Sequence, residues 1–135
     1  MKKNCFTKAI SIILFLAVIV TALSITVSAR YKYIDILGAS LTINSSGLAS
    51  CSGYVCPSDN STNTTLTVEL QKKSGNSWVS EYSWSGSSVG MRTAVASGTR
   101  YVVRGTYRVV STANVYSSSG TLLETQSVTS KEVTY

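Results

Sequence analysis

In the stretch LTVELQKKSGNSWVSEYSW, residues 66–84, apolar and aromatic residues recur at every second position on both sides of a polar centre. Leu66, Val68 and Leu70 precede the centre, and Trp78, Tyr82 and Trp84 follow it. A period of two marks a strand with one face buried, because successive side chains point to opposite sides of a sheet. The alternation returns in TYRVVSTANVYSSSGTLLETQSV, again with a Gly-containing break. Similar runs predict strands over Tyr33–Leu37 and Leu41–Ile43 with a break near Gly38, then Leu48–Val55, Thr64–Lys72, Ser77–Trp84, Met91–Ala96, Thr106–Ser117 and Thr121–Val128. Pro57–Asn63, reading PSDNSTN, has turn composition. No stretch beyond residue 30 carries a sustained helical apolar stripe. The pattern predicts an all-β, antiparallel β-sandwich of about seven strands.

Two hairpin registers follow from counting. A three-residue loop Lys73-Ser74-Gly75 pairs Lys72 with Asn76, Leu70 with Trp78 and Leu66 with Tyr82, placing both tryptophans and Tyr82 on the apolar face. Trp78 is then a core residue, while Trp84, beside Ser83, Ser85 and Gly86, could equally serve an exposed platform. A loop Ser118-Ser119-Gly120 pairs Ser117 with Thr121, Val115 with Leu123 and Ala113 with Thr125. Tyr107, Val109, Ala113, Val115 and Leu123 then face inward, and Arg108, Val110, Asn114, Tyr116, Leu122 and Glu124 outward.

The first 29 residues change the picture. Lys2, Lys3 and Lys8 stand before an apolar run from Ala9 to Val20, and Val27-Ser28-Ala29 supplies small residues at the end. This is the order of a secretory signal, here an apolar helix, cut after Ala29. The predicted organisation is a signal peptide over 1–29 and one domain over 30–135, secreted and free of the membrane after cleavage. Ala9–Val27 is also long enough for an uncleaved anchor, against which stand Ser11, Thr21, Ser24 and Thr26. Of twelve Lys and Arg residues three leave with the signal, so the six acids bring the remaining chain to a net charge of only +3. That balance gives no reason to expect a nucleic-acid partner.

Candidate chemistry is sparse. The chain has no histidine, which removes Ser-His and Cys-His nucleophile pairs and every histidine metal site. The six carboxylates, Asp35, Asp59, Glu69, Glu81, Glu124 and Glu132, are scattered; Glu69 and Glu81 come closest to the converging pair a glycosidase needs. No catalytic, metal or cofactor residue is predicted. Tyr82 and Trp84 are candidates for a ring-stacking platform, since indole and phenol offer flat apolar area with a polar handle. Arg100, Arg104 and Arg108 recur every four residues after Arg92; Arg104 and Arg108 are candidate ligand-binding cations if the stretch is straight, and otherwise line a solvated face. Asn44, Asn60 and Asn63 each open an Asn-X-Ser/Thr sequence that marks a polar turn.

Two cysteines follow the signal, both within Cys51-Ser52-Gly53-Tyr54-Val55-Cys56. In a regular strand they lie about 16 Å apart at roughly 3.3 Å per residue, beyond the 7 Å or so a disulfide tolerates. Cys51 is then a small core residue and Cys56 a thiol available for an intermolecular bridge. A bend at Ser52-Gly53 would instead bring them together.

Gly105-Thr106-Tyr107-Arg108-Val109 resembles the start of strand F in immunoglobulin-like sandwiches, where a tyrosine bonds back to the backbone at a corner. Tyr107 takes that place, Val109 stands where the family has cysteine, and Cys51 falls at the strand B cysteine position, so no inter-sheet disulfide is implied. With GLASCSGYV, LTVELQKKSGNSW, GTYRVVSTANVY and SGTLLE, the chain also resembles small secreted single-domain β-sandwich proteins of Gram-positive bacteria. That group has no assigned function and no catalytic residue to transfer; the resemblance implies secretion and fold. The expected function is a non-enzymatic extracellular module binding the cell wall, a glycan or a protein surface. A secreted antimicrobial or toxin-like effector is the alternative.

Overall fold

The structure, a computed structural model, describes residues 31–60 and 62–135. The expected signal segment lies outside these residues. Eight strands follow in order: β1 (Ile34–Ile43), β2 (Leu48–Pro57), β3 (Thr62–Ser74), β4 (Ser77–Val89), β5 (Ala94–Tyr101), β6 (Thr106–Ser117), β7 (Leu122–Thr129) and β8 (Val133–Thr134). No helix is present among the described residues. β1-β2-β5 form one antiparallel sheet; β4-β3-β6-β7 form the other, with β8 paired to β6.

The alternation in the sequence is what packs the sheets together. Ile34, Leu41, Ala49, Cys51, Val55, Ala94 and Ala96 of the smaller sheet share one core with Leu66, Val68, Leu70, Tyr107, Val109, Ala113 and Val115 of the larger. The inward set expected on β6 is therefore buried, save Leu123 of β7. Strands generally run longer than the sequence suggests. β1 is continuous through Gly38, β3 takes in Thr62 and Asn63 from the expected loop, and β8 carried no periodic signal. Of the Asn-X-Ser/Thr sites, Asn44 sits in the β1–β2 turn, where its side-chain oxygen accepts the N–H groups of Ser46 and Leu48; Asn63 is in a strand.

Both hairpin registers differ from the count, one through its turn and a bulge, the other through a bulge alone. The β3–β4 turn has two residues, Gly75 and Asn76, with Ser74 opposite Ser77 and Lys73 opposite Trp78. Gly75 has φ +61°, the conformation the first residue of this turn class requires and that other residues resist. Two residues rather than three put Trp78 on the outer face. A shift then occurs on β4 at Glu81, so that Leu70 faces Tyr82 and Val68 faces Trp84. The bulge restores parity, and the two rings return to the inner face. The β6–β7 loop closes as expected, with Ser117 N–H donating to the Thr121 carbonyl, but β7 carries a bulge at Leu123 that sets Val115 opposite Glu124. Leu123 is therefore turned out, 37% exposed, and Glu124 turned in. Its carboxylate accepts the backbone N–H groups of Tyr33 at 2.7 Å and Lys32 at 3.3 Å, tying the chain ahead of β1 to β7.

β2 is a regular strand, with Cys51 opposite Leu41 and Gly98, and Cys56 opposite Ile36. Both thiols are free; Cys51 is buried and Cys56 half-buried, with its sulfur 3.4 Å from Thr93 Oγ1. Burial pushes the Cys51 thiol up to about 11. Because the folded value exceeds the ordinary one, this contribution to stability is complete below pH 9 or so and is lost as pH rises toward 11. A maleimide at neutral pH should label the Cys56 peptide of the folded protein and reach Cys51 only in denaturant. Equal labelling of both in the native state, read by peptide mapping, would rule out the buried placement.

Candidate functional site

One open side of the two-sheet stack lies where β4, an edge of the larger sheet, meets β5, an edge of the smaller. Side chains close it. The Trp84 indole lies directly over the backbone of Gly98, where an added Cβ would stand 2.6 Å from the indole Cδ1. Tyr82 lies beside it, with ring centroids 5.0 Å apart and planes tilted by 52°. From β5 the Arg100 guanidinium covers the Tyr82 ring at 4.5 Å from the centroid, a cation–π distance. Tyr82 remains 42% exposed, and Trp84 is half-buried against the core. Trp84 thus packs against the core along this edge, while the Tyr82 ring and the guanidinium meet solvent.

The expected site residues separate. Tyr82 and Trp84 stand together, but Arg104 and Arg108 join neither. Arg104, in the β5–β6 connection, covers the Tyr135 ring at 5.0 Å. Arg108, on the outer face of the larger sheet, covers Trp78 at 4.2 Å and donates its Nε–H to Gln71 Oε1 at 2.9 Å. The arginine spacing of four therefore produces no stripe: the three residues fall on β5, a loop and β6, each over a different ring. Trp78, expected in the core, is the half-buried centre of this outer cluster, with Lys73 Nζ also 5.7 Å from its ring.

Arg100 is the residue that counting could not place. It faces Ala49 across β2, on the inward parity, and is exposed only because β5 is the last strand of its sheet. A shallow hollow of about 350 Å³ adjoins it, lined by Leu48, Thr99, Arg100 and Tyr101. A larger hollow of about 620 Å³, lined by Ser87, Ser88, Val89, Arg92 and Thr93, offers a cation and hydroxyls without an aromatic surface. Cys56 lies outside the ring cluster, next to Thr93.

Three of the carboxylates are engaged separately. Glu69 accepts the Gln71 amide, Glu124 holds the backbone of Lys32 and Tyr33, and Glu132 lies 3.8 Å from Lys73. Among the described residues, no group of three His, Cys, Asp or Glu side chains is placed to hold a metal ion. No protein family and no curated protein matches the chain.

Proposed function

We propose that this is a secreted, non-enzymatic extracellular module, an immunoglobulin-like β-sandwich that binds the carbohydrate of a cell surface through Tyr82, Trp84 and Arg100. The observation that carries the reading is the concentration of two partly exposed aromatic rings and an accessible guanidinium on one edge. Aromatic faces with a few convergent polar groups are the usual makings of a ligand contact. The sandwich reading draws further support from Tyr107, whose hydroxyl donates to the Val103 carbonyl at 2.8 Å, as the corner tyrosine of immunoglobulin-like domains does.

Protein recovered from the medium of cells expressing the full chain should have the mass of a chain starting at Arg30 and should sediment with intact cell walls. Tyr82→Ala removes an exposed ring and should weaken wall binding about tenfold, the loss of roughly 1.4 kcal/mol, with the melting temperature little changed. Wall binding unaffected by this change would remove Tyr82 from the site. Growth inhibition by the same preparation would favour an antimicrobial effector over a binding module.

A further inference from the structure

The Arg100 guanidinium is committed on its π-face and unoccupied at its edge. It stacks on Tyr82, and among the described residues it forms no hydrogen bond or ion pair with a protein acceptor. Glu69, Glu124 and Glu132 are engaged elsewhere. Arg108 differs, since its Nε–H is spent on Gln71. Stacking holds a guanidinium in a fixed plane, and the in-plane N–H groups then form a fork that matches two oxygens of a carboxylate or phosphate. Tyr82 thereby orients Arg100 for an anion.

The rings restrict what carries that anion. A flat aromatic ligand can stack on only one of two rings tilted by 52°. A puckered sugar ring directs C–H groups along several axes and can rest against both.

We propose that the ligand of the Tyr82–Trp84–Arg100 cluster is an acidic sugar residue, its ring resting on Trp84 and Tyr82 and its carboxylate or phosphate held by the edge of Arg100. This rests on the reading of the cluster as a carbohydrate-binding site and adds the charge requirement. Neutral glycans lack the group that Arg100 is set to receive, so they bind more weakly, and binding to acidic ones falls as salt rises.

The test compares polygalacturonic acid with its fully methyl-esterified form, which keeps the backbone and removes the charge, and with phosphomannan, which carries phosphate on a sugar. Affinities are measured by calorimetry for protein expressed as the full chain and for Arg100→Gln and Arg100→Lys. At least one acidic polymer should bind ten times or more tighter than the ester, and which of the two does so names the anion. Arg100→Gln should abolish that preference, so that the acidic polymer and the ester bind with equal affinity. Arg100→Lys should recover only part of it, since an ammonium does not form the fork. Melting curves confirm folding; Arg100 is exposed and its truncation removes no core contact. Equal affinity for acid and ester, or a preference that survives Arg100→Gln, overturns the charge requirement and leaves the carbohydrate site standing. Failure of all three polymers to bind overturns both.

Discussion

Replacing Gly53 by alanine is expected to destabilise the protein by about 3 kcal/mol, the upper range for a forced methyl in a packed core. Gly53 is buried in the middle of β2, between Ala39 and Ala96 of the neighbouring strands. A Cβ there would overlap Ser111 Oγ and lie 2.6 Å from Val68 Cγ2, both on the opposite sheet. The clash is with the facing layer, and relief requires the sheets to move apart. Ser111 Oγ is itself buried without a hydrogen-bond partner, so Ser111→Ala should be neutral or slightly stabilising because an unpaired polar group is removed. Combining Gly53→Ala with Ser111→Gly opens space at one of the two contacts and should recover part of the loss. Denaturant unfolding of wild type, Gly53→Ala, Ser111→Gly and the double variant forms a double-mutant cycle. Strict additivity would show that the two residues do not meet.

Tyr107→Phe is expected to cost about 2 kcal/mol. The Tyr107 ring is 1% exposed and its hydroxyl bonds the Val103 carbonyl; the phenylalanine keeps the packing and leaves that acceptor unpaired. The substitution also has a pH signature. Burial, and secondarily the charge of Glu81, raise the Tyr107 phenol above its ordinary value. The unfolded chain then releases this proton first, near pH 10, so the contribution is complete below that pH and declines as pH climbs through the folded value. The stability gap between wild type and variant should narrow in alkaline solution. A gap that stays constant from pH 8 to 11 would show that the phenol is not held in its protonated form.

Strand order along the chain and the buried faces of β3 and β6 were legible because each is local, while the bond from Tyr107 back to Val103 was anticipated only through the resemblance of Gly105–Val109. Alternation reports which residues share a face. Register was legible up to the bulge in the β6–β7 hairpin, whereas in the β3–β4 hairpin the two-residue turn displaced it from the start. Leu123 and Glu124 exchanged roles because one unpaired residue on β7 shifts every later position by one, and nothing in the composition of TLLETQS marks where that residue falls. The ring cluster was half legible: Tyr82 and Trp84 share a strand, whereas Arg100 reaches them only through the packing of one sheet edge on another. Regular spacing of Arg100, Arg104 and Arg108 suggested a common surface, and the turn between β5 and β6 distributes them over three.

The bulge at Glu81 gives β4 two independent reading frames. Before it, the strand offers Trp78 to the outer face beside Arg108; after it, Tyr82 and Trp84 point to the opposite side beside Arg100. Deleting the single residue Glu81 would remove the bulge and still leave Tyr82 opposite Leu70 and Trp84 opposite Val68, whereas pairing Glu81 regularly with Leu70 would carry both rings across the sheet without changing either of them. Loss of the bulge with Glu81 retained would thus relocate a whole aromatic surface, while point substitutions at the rings can only weaken or strengthen it where it stands.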